Sequence, residues 1–77
     1  MAKEVTIIAY HNGRATEYTG TIERLRTEVF GYTLECGNSW NPKINRNPKT
    51  AKALVNALNK SAEECRRYSD SYELKNA

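Results

Sequence analysis

Residues 37–62 contain no aspartate or glutamate, a gap that stands out in a chain otherwise mixed in charge. Other shortages bound what the protein can be. No apolar run approaches the ~20 residues that span a bilayer, and the opening Met1-Ala2-Lys3-Glu4 lacks a signal-peptide apolar segment. We therefore expect a cytoplasmic protein with no membrane partner. The single histidine, His11, falls beside an Asn-Gly turn with no nucleophile or base at a suggestive spacing. Its expected state is an exposed turn residue. The glycines are scattered, which excludes a glycine-rich phosphate loop, and the serines lie in no nucleophile motif. Two cysteines, Cys36 and Cys65, are too few and too far apart in sequence for a metal site. They are expected as reduced, buried small hydrophobes, with a disulfide between them as the alternative. Together these absences point away from an enzyme: no catalytic residue, metal or cofactor is expected.

What is present is an uneven distribution of positive charge. The 77 residues make one domain, 1–77, with a single small core and a net charge of +3. Residues 41–67 hold seven cations against two anions, a net of +5, while each flanking segment is close to neutral. Inside the acid-free window the chain reads Gly-Asn-Ser-Trp-Asn-Pro-Lys-Ile-Asn-Arg-Asn-Pro-Lys-Thr and then enters a helical pattern. Lys43, Arg46, Lys49 and Lys52 recur every three residues. A cationic loop feeding a helix N-terminus, with its unsatisfied N–H groups and partial positive charge, suits an anion. The candidate binding residues are Trp40, Lys43, Arg46, Lys49, Thr50 and Lys52, with Trp40 able to stack on a base. The plainer reading sets Trp40 and Ile44 as lids on the core, with Asn side chains satisfying the loop backbone and the cations forming a solvated face.

Periodicity outlines an α+β fold. Residues 5–10 are β-branched and aromatic, and Asn12-Gly13 is a strong hairpin signal. A two-residue turn places Ile7 opposite Tyr18, Ala9 opposite Thr16 and Val5 opposite Gly20. Val5, Ile7, Ala9 and Tyr18 then share the buried face. Ile8 and Tyr10 fall on the other face and form a possible interaction surface, for a homodimer among other partners, unless helices cover both sides. Residues 21–29 suit a short amphipathic helix capped by Thr19 or Thr21, with continuation of the second strand as the rival. Phe30, Tyr32, Leu34 and Cys36 alternate with polar residues, so residues 30–36 read as a strand ended by Gly37. Ala51, Leu54, Val55, Leu58, Ala62 and Cys65 make the apolar stripe of the main helix, starting at Asn47-Pro48. Residues 71–75 alternate again as a closing edge strand. The expectation is a small antiparallel sheet of three to four strands, led by an N-terminal hairpin and packed by one long C-terminal helix and one short helix. Its core is Val5, Ile7, Tyr18, Ile22, Leu25, Tyr32, Leu34, Leu54, Val55 and Leu58.

Three segments carry a resemblance: residues 30–40 (Phe-Gly-Tyr-Thr-Leu-Glu-Cys-Gly-Asn-Ser-Trp), the Asn45-Arg46-Asn47-Pro48-Lys49-Thr50 helix start, and Tyr72-Glu73-Leu74. The chain resembles, over roughly its C-terminal two-thirds, short accessory proteins of bacteriophages and mobile elements. The resemblance implies a non-enzymatic inhibitor or modulator, of the anti-defence or anti-CRISPR size class. Such a protein contacts a host protein or nucleoprotein complex directly, in the host cytoplasm. It assigns no functional residue. Nucleic acid or a phosphorylated nucleotide is the alternative partner, and a self-associating assembly protein the third.

Overall fold

The Asn12-Gly13 pair reverses the chain as its chemistry demands. Both residues take the left-handed backbone, with φ of 50° and 83°, the geometry of a type I′ turn. The computed structural model describes residues 3–65 and 70–75. In it β1 (Glu4–His11) and β2 (Arg14–Thr21) run antiparallel across this turn. Ile7 faces Tyr18, Ala9 faces Thr16 and Val5 faces Gly20, the register expected of a two-residue loop. The closing strand is β3 (Asp70–Leu74), which pairs antiparallel with β1 so that Ile7 meets Leu74 and Ala9 meets Tyr72. The strand order is β2-β1-β3. Because side chains alternate across a sheet, Val5, Ile7, Tyr18, Tyr72 and Leu74 share one face, and all join the same apolar cluster.

Helices cover that face. Thr21 caps α1 (Ile22–Arg24), its hydroxyl accepting the Arg24 N–H at 3.2 Å. The chain continues without a break into a π-helical turn (Leu25–Val29), closed by the Phe30 N–H donating to the Leu25 carbonyl at 2.7 Å. The wider turn swings Leu25 and Phe30 toward one side, and both are buried. Phe30 sets its ring edge-on against Tyr18 at 5.3 Å and Tyr72 at 5.8 Å, tying the turn to both outer strands.

Residues 30–36 depart from the sequence expectation. They open α2 (Gly31–Trp40) rather than forming a strand. A short alternating run also contains a helical spacing, and here Phe30, Leu34 and Gly37, at 0, 4 and 7, are the buried residues. Tyr32 belongs to the wrong side of that period and is 83% exposed, so it is not part of the core. Gly37 terminates nothing. It lies in mid-helix where a Cβ would stand 2.3 Å from Ser61 Oγ and 2.5 Å from Ser61 Cβ, so the absent side chain lets two helices touch.

The second of those helices is α3 (Ala51–Glu64), whose buried residues are Leu54, Ala57, Leu58, Ser61 and Ala62. The helix runs 14 residues and matches the expected one only in part: of the expected stripe Leu54, Leu58 and Ala62 are buried, Ala51 and Val55 are half-buried, and Cys65 lies just past its end. Its start is later than Asn47-Pro48. Thr50 is the cap, accepting the Ala53 N–H at 3.1 Å, while Pro48 is fully buried in the preceding loop. We expect Thr50→Ala to lower stability by about 1 kcal/mol in a urea titration, the usual loss for a removed N-cap hydroxyl. The buried apolar cluster comprises Ile7, Leu25, Phe30, Leu34, Ile44, Leu54, Ala57 and Leu58, with Val5, Tyr18, Ile22 and Val55 among the residues packed at its margin.

Candidate functional site

Between α2 and α3 the chain crosses the surface without regular structure from residue 41 to residue 50. Its polar backbone is satisfied largely by asparagine. Asn38 Nδ2 donates to the Ile44 carbonyl at 2.8 Å and to the Pro42 carbonyl at 3.3 Å. Asn41 Oδ1 accepts the Lys43 N–H at 3.1 Å, and Asn45 Oδ1 accepts the Asn47 N–H at 2.9 Å. These are the short side-chain turns that asparagine favours. Two apolar anchors complete the fastening, Ile44 at 2% exposure and the buried Pro48.

The two lids proposed from sequence therefore separate. Ile44 closes over the core, but Trp40, the last residue of α2, is 73% exposed. Lys43, Arg46, Lys49 and Lys52 are all exposed, and among the described residues none of the four forms an ion pair. A pinned loop thus presents an indole and a row of uncompensated cations. The Thr50 hydroxyl spends one lone pair on its cap and keeps its proton to donate.

Two residues join this surface that sequence reading left out. On an α-helix Tyr32, Cys36 and Trp40 share one side, which puts the two exposed aromatics about 12 Å apart along the axis. Helical rather than alternating period for residues 30–40 is the signal that finds Tyr32. The other is Arg26, whose Nη1 donates to the Pro48 carbonyl at 3.3 Å. Its Nε is buried and has no hydrogen-bond partner among the described residues. Leaving such a donor unsatisfied costs about 1–3 kcal/mol. Arg26, Tyr32, Glu35 and Arg46 line a groove of about 460 Å³. A second groove, about 370 Å³, is lined by Lys3, Glu23, Arg26 and Lys49. Arg26 is thus common to two grooves that hold four cations and two carboxylates.

The outer sheet face is less available. Ile8 and Tyr10 are both half-buried. The Tyr10 phenol donates to Glu73 Oε2 at 2.9 Å, and Lys75 reaches Glu17 at 2.9 Å across the central strand. The hydrogen bond to Glu73 raises the Tyr10 pKa above its ordinary value, with desolvation and the charges of Glu73 and Glu17 adding to it. At neutral pH the phenol is therefore a donor. Thr6 and Thr19 hydroxyls, 2.8 Å apart, complete this polar lacing. The described helices pack on the other face, so among the described residues no helix covers Ile8 and Tyr10.

His11 is exposed, as the turn suggests, though it hydrogen-bonds Asp70 across the sheet. No group of three or more metal-ligating side chains occurs among the described residues. None of the helices described there is long and apolar enough to cross a membrane. No known protein family, curated protein or solved structure matches the chain.

Proposed function

We propose that this chain is a small non-enzymatic binding protein that docks directly on a host macromolecular complex and modulates it, through the surface formed by Trp40, Lys43, Arg46, Lys49 and Lys52. The observation that carries this reading is Trp40 at 73% exposure, directly preceding a loop that carries the exposed Lys43, Arg46 and Lys49, with exposed Lys52 on the helix that follows. A large aromatic held in water next to unpaired charge is the composition of an interface anchor. The resemblance to phage accessory proteins supplies the same role, an inhibitor or modulator acting in the host cytoplasm by contact alone.

A second reading, direct binding of nucleic acid or a phosphorylated nucleotide, is favoured by one further observation. Tyr32 and the groove it shares with Arg26 and Arg46 extend the surface with another exposed ring and one further cation, Arg26, the pairing that single-strand binders use for bases and phosphates. Glu35 within the groove weighs against it by repelling phosphate.

Salt response separates the two. The protein is used to recover its partner from host extract, and affinity for that partner is measured at several ionic strengths. A packed tryptophan anchor on a protein target gives a shallow salt dependence. In that case Trp40→Ala weakens binding by about 2 kcal/mol, roughly 30-fold, with no change in melting temperature. Binding that falls with a log–log slope of about −3 to −4, as four phosphate contacts require, overturns the first reading in favour of the second. A mass that grows with protein concentration, insensitive to Lys49→Ala, overturns both and brings Ile8 and Tyr10 forward.

A further inference from the structure

Cys36 and Cys65 were expected as buried hydrophobes, yet both are only half-buried, and their sulfurs lie 3.9 Å apart. They sit on opposite sides of the α2–α3 seam, which is fixed by contacts that do not involve sulfur. One residue after Cys36, Gly37 packs directly on Ser61. Ser61 Oγ donates to the Thr33 carbonyl at 2.8 Å. One helical turn beyond Ser61 comes Cys65, whose N–H donates to the Ser61 carbonyl at 2.9 Å. Asn41 Nδ2 adds a contact to Glu64 Oε1 at 3.0 Å along the same seam.

We propose that Cys36 and Cys65 are a dithiol modification site, oxidised to an intramolecular disulfide by a low-molecular-weight disulfide. Forming the bond brings the sulfurs from 3.9 Å to about 2 Å, a swing of the two side chains with the helices already in place. One thiolate attacks the oxidant, breaking its S–S bond, forming a mixed disulfide and releasing one small thiol. The second protein sulfur then attacks the first, displacing the other small thiol. Two protein S–H bonds and one oxidant S–S bond are exchanged for one protein S–S bond and two small thiols, and two electrons pass to the oxidant. Neither cysteine is fully buried, which leaves the oxidant a route to the pair.

The ring so closed holds roughly 30 residues, among them Trp40, Lys43, Arg46, Lys49, Thr50 and Lys52. Oxidation therefore staples the segment that carries the basic loop at both of its ends. A reducing cytosol leaves the dithiol open, and a shift toward oxidising conditions closes it. This chemistry stands whether or not the binding reading above is correct, because its test needs no partner.

The full chain is equilibrated in buffers ranging from reduced to oxidised glutathione, alkylated, and analysed by intact mass, peptide mapping and thermal melting. The expected product is a monomer that resists alkylation at both cysteines, carries a 36–65 cross-link and melts roughly 10 °C or more above the reduced form. A dithiol reductant reverses both changes. Cys36→Ser and Cys65→Ser, close in volume to the native residue, should each show no rise and hold glutathione on the remaining cysteine. Both cysteines remaining alkylatable in the most oxidising buffer would overturn the proposal. So would a doubly glutathionylated chain, a disulfide-linked dimer, or an oxidised form that melts no higher than the reduced one.

Discussion

Gly37→Ala is expected to destabilise the protein by about 2–3 kcal/mol, the upper part of the range for overpacked cores. Two physical effects oppose each other at this position, and they predict opposite signs. Helix propensity alone makes the substitution a gain of about 1 kcal/mol, since glycine is a poor helix former. Packing makes it a loss, because the new methyl would meet Ser61 Oγ at 2.3 Å, Ser61 Cβ at 2.5 Å and the Ser61 Cα at 3.0 Å. Backbone cannot yield as a flexible side-chain tip does, and α3 is held by Leu54 and Leu58, both at 0% exposure. The clash should win. For a chain of this length the whole stability is about 4–12 kcal/mol, so the loss is a large share of it. Pairing the change with Ser61→Gly removes the two closest atoms and should recover at least about 1 kcal/mol as a coupling term. Urea titrations of the four proteins in that cycle measure it. A more stable Gly37→Ala chain would mean that the α2–α3 seam is looser than described.

Ile44→Ala should cost about 2–4 kcal/mol, as expected when a fully enclosed aliphatic side chain leaves a cavity. The effect matters more for its location than its size. Ile44 is one of the two apolar anchors of the exposed loop, at 2% exposure, and both of its backbone polar groups are engaged, the N–H with the Asn41 carbonyl at 2.9 Å and the carbonyl with Asn38 at 2.8 Å. Removing the anchor should release residues 41–50 along with it, seen as faster amide exchange through that stretch. Lys43→Ala, one residue away and exposed, should change stability by no more than about 0.5 kcal/mol. If Ile44→Ala proved equally mild, the loop would be riding on the surface rather than clamped to the core, and its cations would lose their fixed arrangement.

Legibility in the sequence tracks how many independent physical signals agree at a position. At the hairpin, turn chemistry and side-chain alternation coincide, and the pairing of Ile7 with Tyr18 follows from them. The stripe through Leu54 and Leu58 is long enough to exclude any other period. At residues 30–36 the signals conflict. Phe30, Tyr32, Leu34 and Cys36 alternate, yet Phe30, Leu34 and Gly37 also recur at helical spacing, and a window that short does not decide between them. What decides is the partner, since Gly37 has value only against Ser61, a contact no local pattern contains. The helix start shifted for a related reason. Asn47-Pro48 is a sound cap signal, but Thr50 supplies one as well. Pro48 is instead buried, with its carbonyl accepting from Arg26. The cationic row was legible because charge needs no fold to be counted. That Arg26 and Tyr32 stand beside it was not, because both arrive through the misread helix and its π-helical entry.

The strand order carries a consequence for how the chain is made. The central strand β1 is also the first, and one of its two neighbours is β3, so Tyr10 and Glu73 form a hydrogen bond between residues 63 apart. Sheet completion must therefore close a very long loop, the slow kind of event in folding. On a ribosome the β1–β2 hairpin emerges early and waits, with one edge unpaired, until nearly all of the described chain has been synthesised. Over that interval the edge that β3 will occupy is open to any extended segment nearby. Newly made protein is thus exposed to mispairing for longest at its centre, and a slowed release of residues 70–74 should raise the fraction that aggregates before it folds.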